Sequence, residues 1–132
     1  NSETLEALVG QGMMTQINID SLFGLAGKKA QHKALEFLQA GLVHFLASDT
    51  HPGYGRMPPD KAAIDRLYEL VGKETTTRAL KSNPLDLLAG KKVDPLRSDG
   101  IINLNFSAQL HAWQGGYMQR LKNLFMNKKN SN

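Results

Sequence analysis

The 132-residue sequence has no cysteine. This absence excludes disulfide bonds, and it excludes a tyrosine phosphatase that attacks phosphorus with a thiolate. Any phosphatase chemistry must therefore use metal-activated water or another nucleophile. Long apolar runs are also lacking, and the mean hydropathy is −0.36, so the sequence predicts no transmembrane span. Both features favour a cytoplasmic protein.

Positive charge exceeds negative charge only modestly, by a net +4. The excess lies late in the chain, at Arg120, Lys122, Lys128 and Lys129. A nucleic-acid-binding module would spread basic residues over one face and interleave them with aromatic side chains for stacking. Nucleic acid is therefore not an expected partner. With 41% hydrophobic residues, a chain of this length can bury one core.

The most informative segment is an apolar strand, predicted over residues 43–51, that runs into a carboxylate and an imidazole at Asp49 and His51. Alternate side chains of an extended chain share a face, so both groups can point toward one ion or two adjacent ions. Carboxylate oxygen together with imidazole nitrogen suits Mn, Fe or Zn better than Ca or Mg. The alternative is a strand that simply ends in a polar turn.

The loop that follows contains two glycines and three prolines within residues 52–59. Proline fixes φ and glycine opens conformations that other residues avoid, so this loop is shaped rather than flexible. Its single cation is Arg56. A guanidinium just beyond a metal-ligand pair is well placed to hold a phosphate by paired hydrogen bonds. The alternative is a solvated loop arginine.

These segments, in this order, resemble the C-terminal half of the bacterial PHP-domain (polymerase and histidinol phosphatase) tyrosine phosphatases. The resemblance rests on Thr15-Gln16-Ile17-Asn18, Ser21-Leu22-Phe23-Gly24, Ala47-Ser48-Asp49-Thr50-His51, Gly55-Arg56-Met57-Pro58-Pro59 and Asn83-Pro84. That family is metal-dependent, usually with manganese, and is encoded with capsule and exopolysaccharide synthesis genes. The resemblance implies that Asp49 and His51 are metal ligands of a multinuclear cluster and that Arg56 binds substrate phosphate. It also implies a substrate, the autophosphorylated tyrosine tail of a membrane-associated bacterial tyrosine kinase.

The sequence departs from the family pattern in its metal ligands. Complete members begin with a His-x-His strand and add a Glu and further His ligands, and none of these has a counterpart here. We therefore expect the chain to carry part of an active site, completed by a missing N-terminal half, or to self-associate. The start at Asn1 rather than Met favours processing or truncation. Two alternatives are a non-catalytic regulatory or interaction fragment and a PHP phosphoesterase acting on a small phosphoester.

Apolar periodicity predicts alternating helices and strands. Helices are expected near residues 2–9, 26–40 and 60–71, with short ones over 76–81 and 84–89, and strands over 13–18 and 43–51. Residues 20–24 are expected to form a turn. Pro58-Pro59-Asp60 is expected to start the third helix, with Pro in its first turn, and Asn83 to cap the last helix, with Pro84 at its first position. Strands separated by helices favour parallel pairing, so the predicted fold class is α/β, the C-terminal part of a distorted (β/α) barrel.

Three polar residues on the predicted strands have two interpretations each. Gln16 and Asn18 can hydrogen-bond groups around the metal, or they can cap the turn into Asp20. His44 can pack in the sheet with its ring nitrogens satisfied by neighbours, or it can support the metal ligands.

The sequence predicts three regions. Residues 1–92 form the barrel part, 93–100 a linker, and 101–132 an extension with an amphipathic helix. The apolar stripe of that helix either docks on the barrel wall or lies at the interface of a membrane, where its lysines reach anionic lipid.

Overall fold

A computed structural model describes residues 2–51 and 58–97. Arg56 and the predicted 101–132 extension lie outside the described residues. The elements, in chain order, are α1 (Ser2–Gly10), β1 (Gln16–Asn18), α2 (Ile19–Leu22), α3 (Lys28–Gln39), β2 (Phe45–Ala47), α4 (Lys61–Val71), α5 (Lys73–Thr77), a π-helical segment (Arg78–Ser82) and α6 (Asn83–Leu88). No helix in this part of the chain is long and apolar enough to cross a bilayer.

The two strands pair in parallel, as the alternation of helices and strands predicted. Ile17 lies opposite Leu46 and Asn18 opposite Ala47. A parallel pair needs a crossover connection, and α2 with α3 supplies it. Both strands are shorter than predicted. Met13 and Met14, expected within the first strand, precede it and are about half exposed, at 53% and 46%.

Glycines end the helices that lead into the strands. Gly41 has a positive φ of 67°, a conformation in which a side chain would be strained. Its N–H donates to the carbonyl of Leu38 (3.1 Å), and the N–H of Leu42 donates to that of Phe37 (3.0 Å). This pair of bonds closes α3 in a Schellman motif. The same pattern, with Gly12 at a φ of 93°, closes α1.

The start of α4 differs from the prediction. Of the predicted start Pro58-Pro59-Asp60, Asp60 caps the helix, and its carboxylate accepts a hydrogen bond from the Ala63 N–H at 2.8 Å, whereas both prolines precede the first turn. A side-chain oxygen at this position satisfies one of the backbone donors that a first helical turn leaves unpaired. The prolines lie outside the helix, where their missing N–H groups cost nothing. The predicted turn over 20–24 likewise forms a helical turn, α2.

The prediction that Asn83 caps α6 is wrong. The chain is already helical at Ser82, and the Asn83 side chain caps nothing. Instead its amide is buried and donates to the backbone carbonyl of His44 at 2.8 Å and to that of Asp94 at 3.5 Å. Asn83, the first residue of α6, is thus bonded both to the residue that precedes β2 and to Asp94.

Residues 93–97, the described part of the predicted linker, lie against the sheet. The Leu96 side chain is fully buried, and its N–H donates to the carbonyl of Val43 at 2.6 Å. The hydroxyl of Thr75 donates to the Arg97 carbonyl at 3.2 Å. We call residues 92–97 the strap. Where the domain boundary falls remains a prediction.

The core lies between the sheet and the helices around it. Its largest fully buried side chains come from α2, α3, β2 and its approach, α4 and the strap, and include Phe23, Leu22, Leu38, Leu67, Leu96 and Val43. Helical spacing predicts an apolar face of Ala30, Ala34, Leu35 and Leu38 on α3 and of Ala63, Ile64, Leu67, Tyr68 and Val71 on α4. Ala34, Leu38, Ala63, Leu67 and Val71 are buried, and the other members are partly buried.

We predict that Asn83→Ala destabilises the protein. The substitution leaves the buried His44 carbonyl without its amide donor, which costs about 1–3 kcal/mol of unfolding free energy. Urea denaturation of the variant and the parent measures this. Lys81→Ala, an exposed change nearby, is the control and should stay within about 0.5 kcal/mol. Equal stability of Asn83→Ala and the parent would contradict the role assigned to this amide.

Candidate metal-ligand site

The ends of the two strands bring an amide and a carboxylate together. Asn18 is the last residue of β1 and pairs with Ala47, two residues before Asp49. From there the Asn18 amide donates to Oδ2 of Asp49 at 3.1 Å. The parallel register is the cause, because it places the carboxyl ends of both strands at one edge of the sheet. Of the two interpretations of Asn18, the structure favours support of Asp49.

Asp49 itself reaches this position differently from the prediction. Strand β2 ends at Ala47, so Asp49 and His51 do not share a strand face. Asp49 instead adopts a φ of 52°, which makes it the only non-glycine with positive φ among the described residues. Aspartate tolerates this left-handed conformation better than most residues, at a cost of about 1 kcal/mol. Such strain often accompanies functional sites.

The resulting turn folds His51 back onto Asp49. Nδ1 of His51 lies 2.9 Å from the backbone oxygen of Asp49 and 3.5 Å from its carboxylate Oδ1. A backbone carbonyl only accepts hydrogen bonds, so Nδ1 donates in this contact, and in the neutral imidazole the lone pair then lies on Nε2. This is the arrangement by which proteins orient a histidine that binds a metal through Nε2. The side chain is 58% exposed, and a ligand can therefore reach it.

Sequence reasoning missed the hydroxyl pair that flanks Asp49. Oγ of Ser48 and Oγ1 of Thr50 lie 2.7 Å apart and form a hydrogen bond across Asp49. Serine and threonine near an Asp in a loop are a general signal for such local bonds.

The structure does not bring Gln16 to the site. Gln16 opens β1 opposite Phe45, two residues from the end at which Asn18 contacts Asp49, and it is exposed. Among residues 2–51 and 58–97 no cluster of three or more His, Asp or Glu side chains suited to a metal occurs. The described site therefore offers two donors, Asp49 and His51, and their metal binding remains a prediction.

His44 lies at the other end of β2, away from Asp49, and is 3% exposed. The ring Nδ1 of His44 accepts a hydrogen bond from the backbone N–H of Thr15 at 3.2 Å. The backbone N–H of His44 donates to the Thr15 carbonyl at 3.0 Å. This agrees with the interpretation that His44 packs in the sheet. Burial lowers the pKa of His44 below its ordinary value, and the Asp94 carboxylate opposes this shift only in part.

Comparison with known proteins places the chain in a family. A family model described as capsular polysaccharide synthesis, CpsB/CapC, matches residues 1–89. The match covers the described strands and helices up to the end of α6. The chain belongs to this family.

Similar proteins include named tyrosine phosphatases. Tyrosine-protein phosphatase YwqE of Bacillus subtilis is 41% identical over 51 residues, which cover 39% of this chain and 20% of YwqE. A solved structure from a study of YwqE and of CpsB from Streptococcus pneumoniae, described as unique metal-dependent tyrosine phosphatases, has a TM-score of 0.60 at 30% identity. That alignment covers 76% of this chain and 41% of the other. The chain thus spans less than half the length of the relatives it matches.

We predict that His44 makes the protein less stable as the pH falls. Its pKa is lower in the folded state, so the unfolded chain binds a proton first, near pH 6.5. Stability from this group is therefore complete above that pH. It declines below it, by up to about 1.4 kcal/mol per pH unit, until the folded-state pKa is reached.

Urea denaturation between pH 7.5 and 5.5 measures this decline. His44→Asn keeps an acceptor near the Nδ1 position but has no proton to gain, so its pH profile should be flatter than that of the parent. His32→Asn replaces an exposed histidine and serves as the control. An unchanged slope in His44→Asn would show that the dependence arises elsewhere.

Proposed function

We propose that this chain carries part of the active site of a metal-dependent protein-tyrosine phosphatase acting in capsular or exopolysaccharide synthesis. The family match and the described relatives support the reaction class. The observation that carries the proposal is local. His51 is held by its Nδ1 to the Asp49 backbone, which leaves Nε2 available beside a carboxylate that Asn18 fixes.

The donors present fit a divalent transition metal. A carboxylate oxygen and an imidazole nitrogen suit manganese, iron or zinc, and manganese is our first choice. A cation bound there supplies Lewis-acid activation of water and of the phosphate ester. Asp49 contributes negative charge, and Asn18 holds its carboxylate by one oxygen, which leaves the other facing His51.

Two protein ligands alone hold a transition metal weakly. We therefore propose that further ligands, and the rest of a PHP-type (β/α) barrel, come from an N-terminal half or from a second chain. The aligned segments cover 20% of YwqE and 41% of the matched solved chain, so these similar proteins are longer. The carboxyl ends of parallel strands, where Asp49 and His51 follow β2, are where such barrels place their chemistry.

Arg56 is proposed to bind the substrate phosphate. It follows His51 by five residues in the sequence. Its guanidinium can pair two N–H groups with two phosphate oxygens and so offset the charge that develops during transfer. The proposed substrate is the phosphorylated tyrosine tail of an autophosphorylating bacterial tyrosine kinase, and the proposed location is the cytoplasm. A non-catalytic interaction fragment is the alternative, favoured by the two-donor site among the described residues.

We predict that Asp49→Ala and His51→Ala each weaken manganese binding at least about tenfold, since even losses around the ligands act on that scale. Equilibrium dialysis followed by metal analysis measures bound manganese without any assay of activity. His32→Ala, a change to an exposed histidine, is the control. Metal binding equal to the parent in both variants would contradict the assignment.

Asn18→Ala extends the same experiment to the residue that holds Asp49. It removes no metal donor but releases Oδ2 of the carboxylate. Binding should fall by less than in Asp49→Ala, and Gln16→Ala should leave it unchanged. A loss in Gln16→Ala equal to that in Asn18→Ala would indicate damage to β1 rather than positioning of the carboxylate.

We predict that Arg56→Lys lowers phosphotyrosine turnover while metal content stays the same, because an ammonium group cannot reproduce the planar guanidinium fork. The full-length protein, assayed with a phosphotyrosine peptide and analysed for manganese, tests this. Lys61→Ala, which removes a cation from the exposed first turn of α4, is the control. Loss of metal in Arg56→Lys would instead assign this residue to folding of its loop.

A further inference from the structure

A polar cavity lies at the opposite end of β2 from Asp49. It measures about 620 Å³ and is lined by the end of α3, the π-helical segment and the strap. Gln39, Arg78, Asp94 and Arg97 are its polar residues. The cavity lies on the side where the chain enters β2, since Gly41 in its wall precedes the strand. Asp49 and His51 follow the strand, and neither lines this cavity.

The cavity wall is held in place from three sides. Leu96, buried within the strap, bonds to Val43, and the Thr75 hydroxyl bonds to the carbonyl of Arg97. The Schellman motif at Gly41 satisfies the last carbonyls of α3. Arg78 donates to the Asp94 carbonyl at 3.4 Å, a long bond. Arg78 is part of a π-helical segment, a rare irregularity that is frequent at functional sites.

The balance of charge in the cavity is positive. Its one carboxylate, Asp94, already forms an ion pair with Lys92 at 3.0 Å. Hydrogen bonding to Lys92 lowers the pKa of Asp94, and the charges of Arg78 and Arg97 lower it further, so this carboxylate stays ionised. Within the described part of the chain the Arg97 guanidinium has no hydrogen bond or ion pair. Two guanidinium groups thus line one cavity with a single carboxylate, Asp94, which both of them attract and which is also paired with Lys92.

We propose that this cavity binds a phosphate-bearing small molecule through Arg78 and Arg97. Guanidinium groups match phosphate oxygens by paired, charge-assisted hydrogen bonds. The Gln39 amide can add a donor from the end of α3. A volume of this size accommodates an organic group beyond the phosphate. The proposal needs neither the metal nor Arg56, so it stands apart from the proposed phosphatase reaction.

Titration of the ¹⁵N-labelled chain with inorganic phosphate and with pyrophosphate tests the proposal. The buffer contains EDTA, and sodium chloride at equal ionic strength is the reference. The amide signal of Gly41 and the side-chain Nε–H signals of Arg78 and Arg97 should shift and saturate. Pyrophosphate should bind more tightly than phosphate because it offers more oxygens to two guanidinium groups.

Substitutions distinguish specific binding of phosphate in this cavity from unspecific attraction to a basic surface. Arg78→Gln and Arg97→Gln should each weaken binding at least about tenfold, since bonds to charged groups are the strong ones. Arg78→Lys keeps the charge and should give an intermediate loss. Lys28→Gln, at the far end of α3, removes the same charge and should change binding less than about twofold.

If Arg78→Gln fails to fold, Arg97→Gln still tests the proposal, because the Arg97 side chain is exposed and makes no hydrogen bond to another described residue. Shifts no larger than those with chloride would overturn the proposal. Equal losses in Lys28→Gln and Arg97→Gln would also overturn it, since that result indicates unspecific attraction to a basic surface.

Discussion

The parallel pairing of β1 with β2 is the constraint on which the rest of this structure depends. The register sets Asn18 opposite Ala47 and so within reach of Asp49. It also places Leu46 in the core, opposite Ile17. A shift of one residue would turn every side chain of a strand to the other face. The same shift would separate the amide from the carboxylate, so core and candidate site are fixed by one set of backbone bonds.

Three strand residues on each side cannot hold such a register alone, and the bonds around the start of β2 explain why it persists. Thr15 and His44 exchange hydrogen bonds between the two strand approaches. Asn83 holds the His44 carbonyl, and the strap bonds to Val43. These groups are buried, where an unpaired polar atom costs more than in water. The bonds at the start of β2 thus fix the register of the two strands, and that register sets the Asn18–Asp49 contact at the other end.

Sequence alone predicted the features that depend on local pattern. The apolar faces of α3 and α4 follow helical spacing, and the segment ending in Asp49 and His51 was recognised as a candidate site. Features that depend on distant partners were missed. Asn83 was assigned to a cap because Asn before Pro favours one, whereas its partner, the His44 carbonyl, lies 39 residues away. The spacing of apolar residues gives no information about a hydrogen bond between residues so far apart in sequence. Tertiary contacts of this kind can override local preference.

The backbone at Asp49 departs from the extended geometry predicted for a metal-ligand pair and agrees with the alternative, a strand that ends in a polar turn. Alternation along a strand predicts that Asp49 and His51 share a face, whereas β2 stops two residues before Asp49. The left-handed backbone of Asp49 costs about 1 kcal/mol. It persists because Asn18 holds the carboxylate and His51 holds the backbone oxygen. These contacts to Asn18 and to the Asp49 backbone fix the orientation of the carboxylate and of the imidazole. A ligand at this edge of the sheet then meets less of the ordering cost that flexible donors would impose.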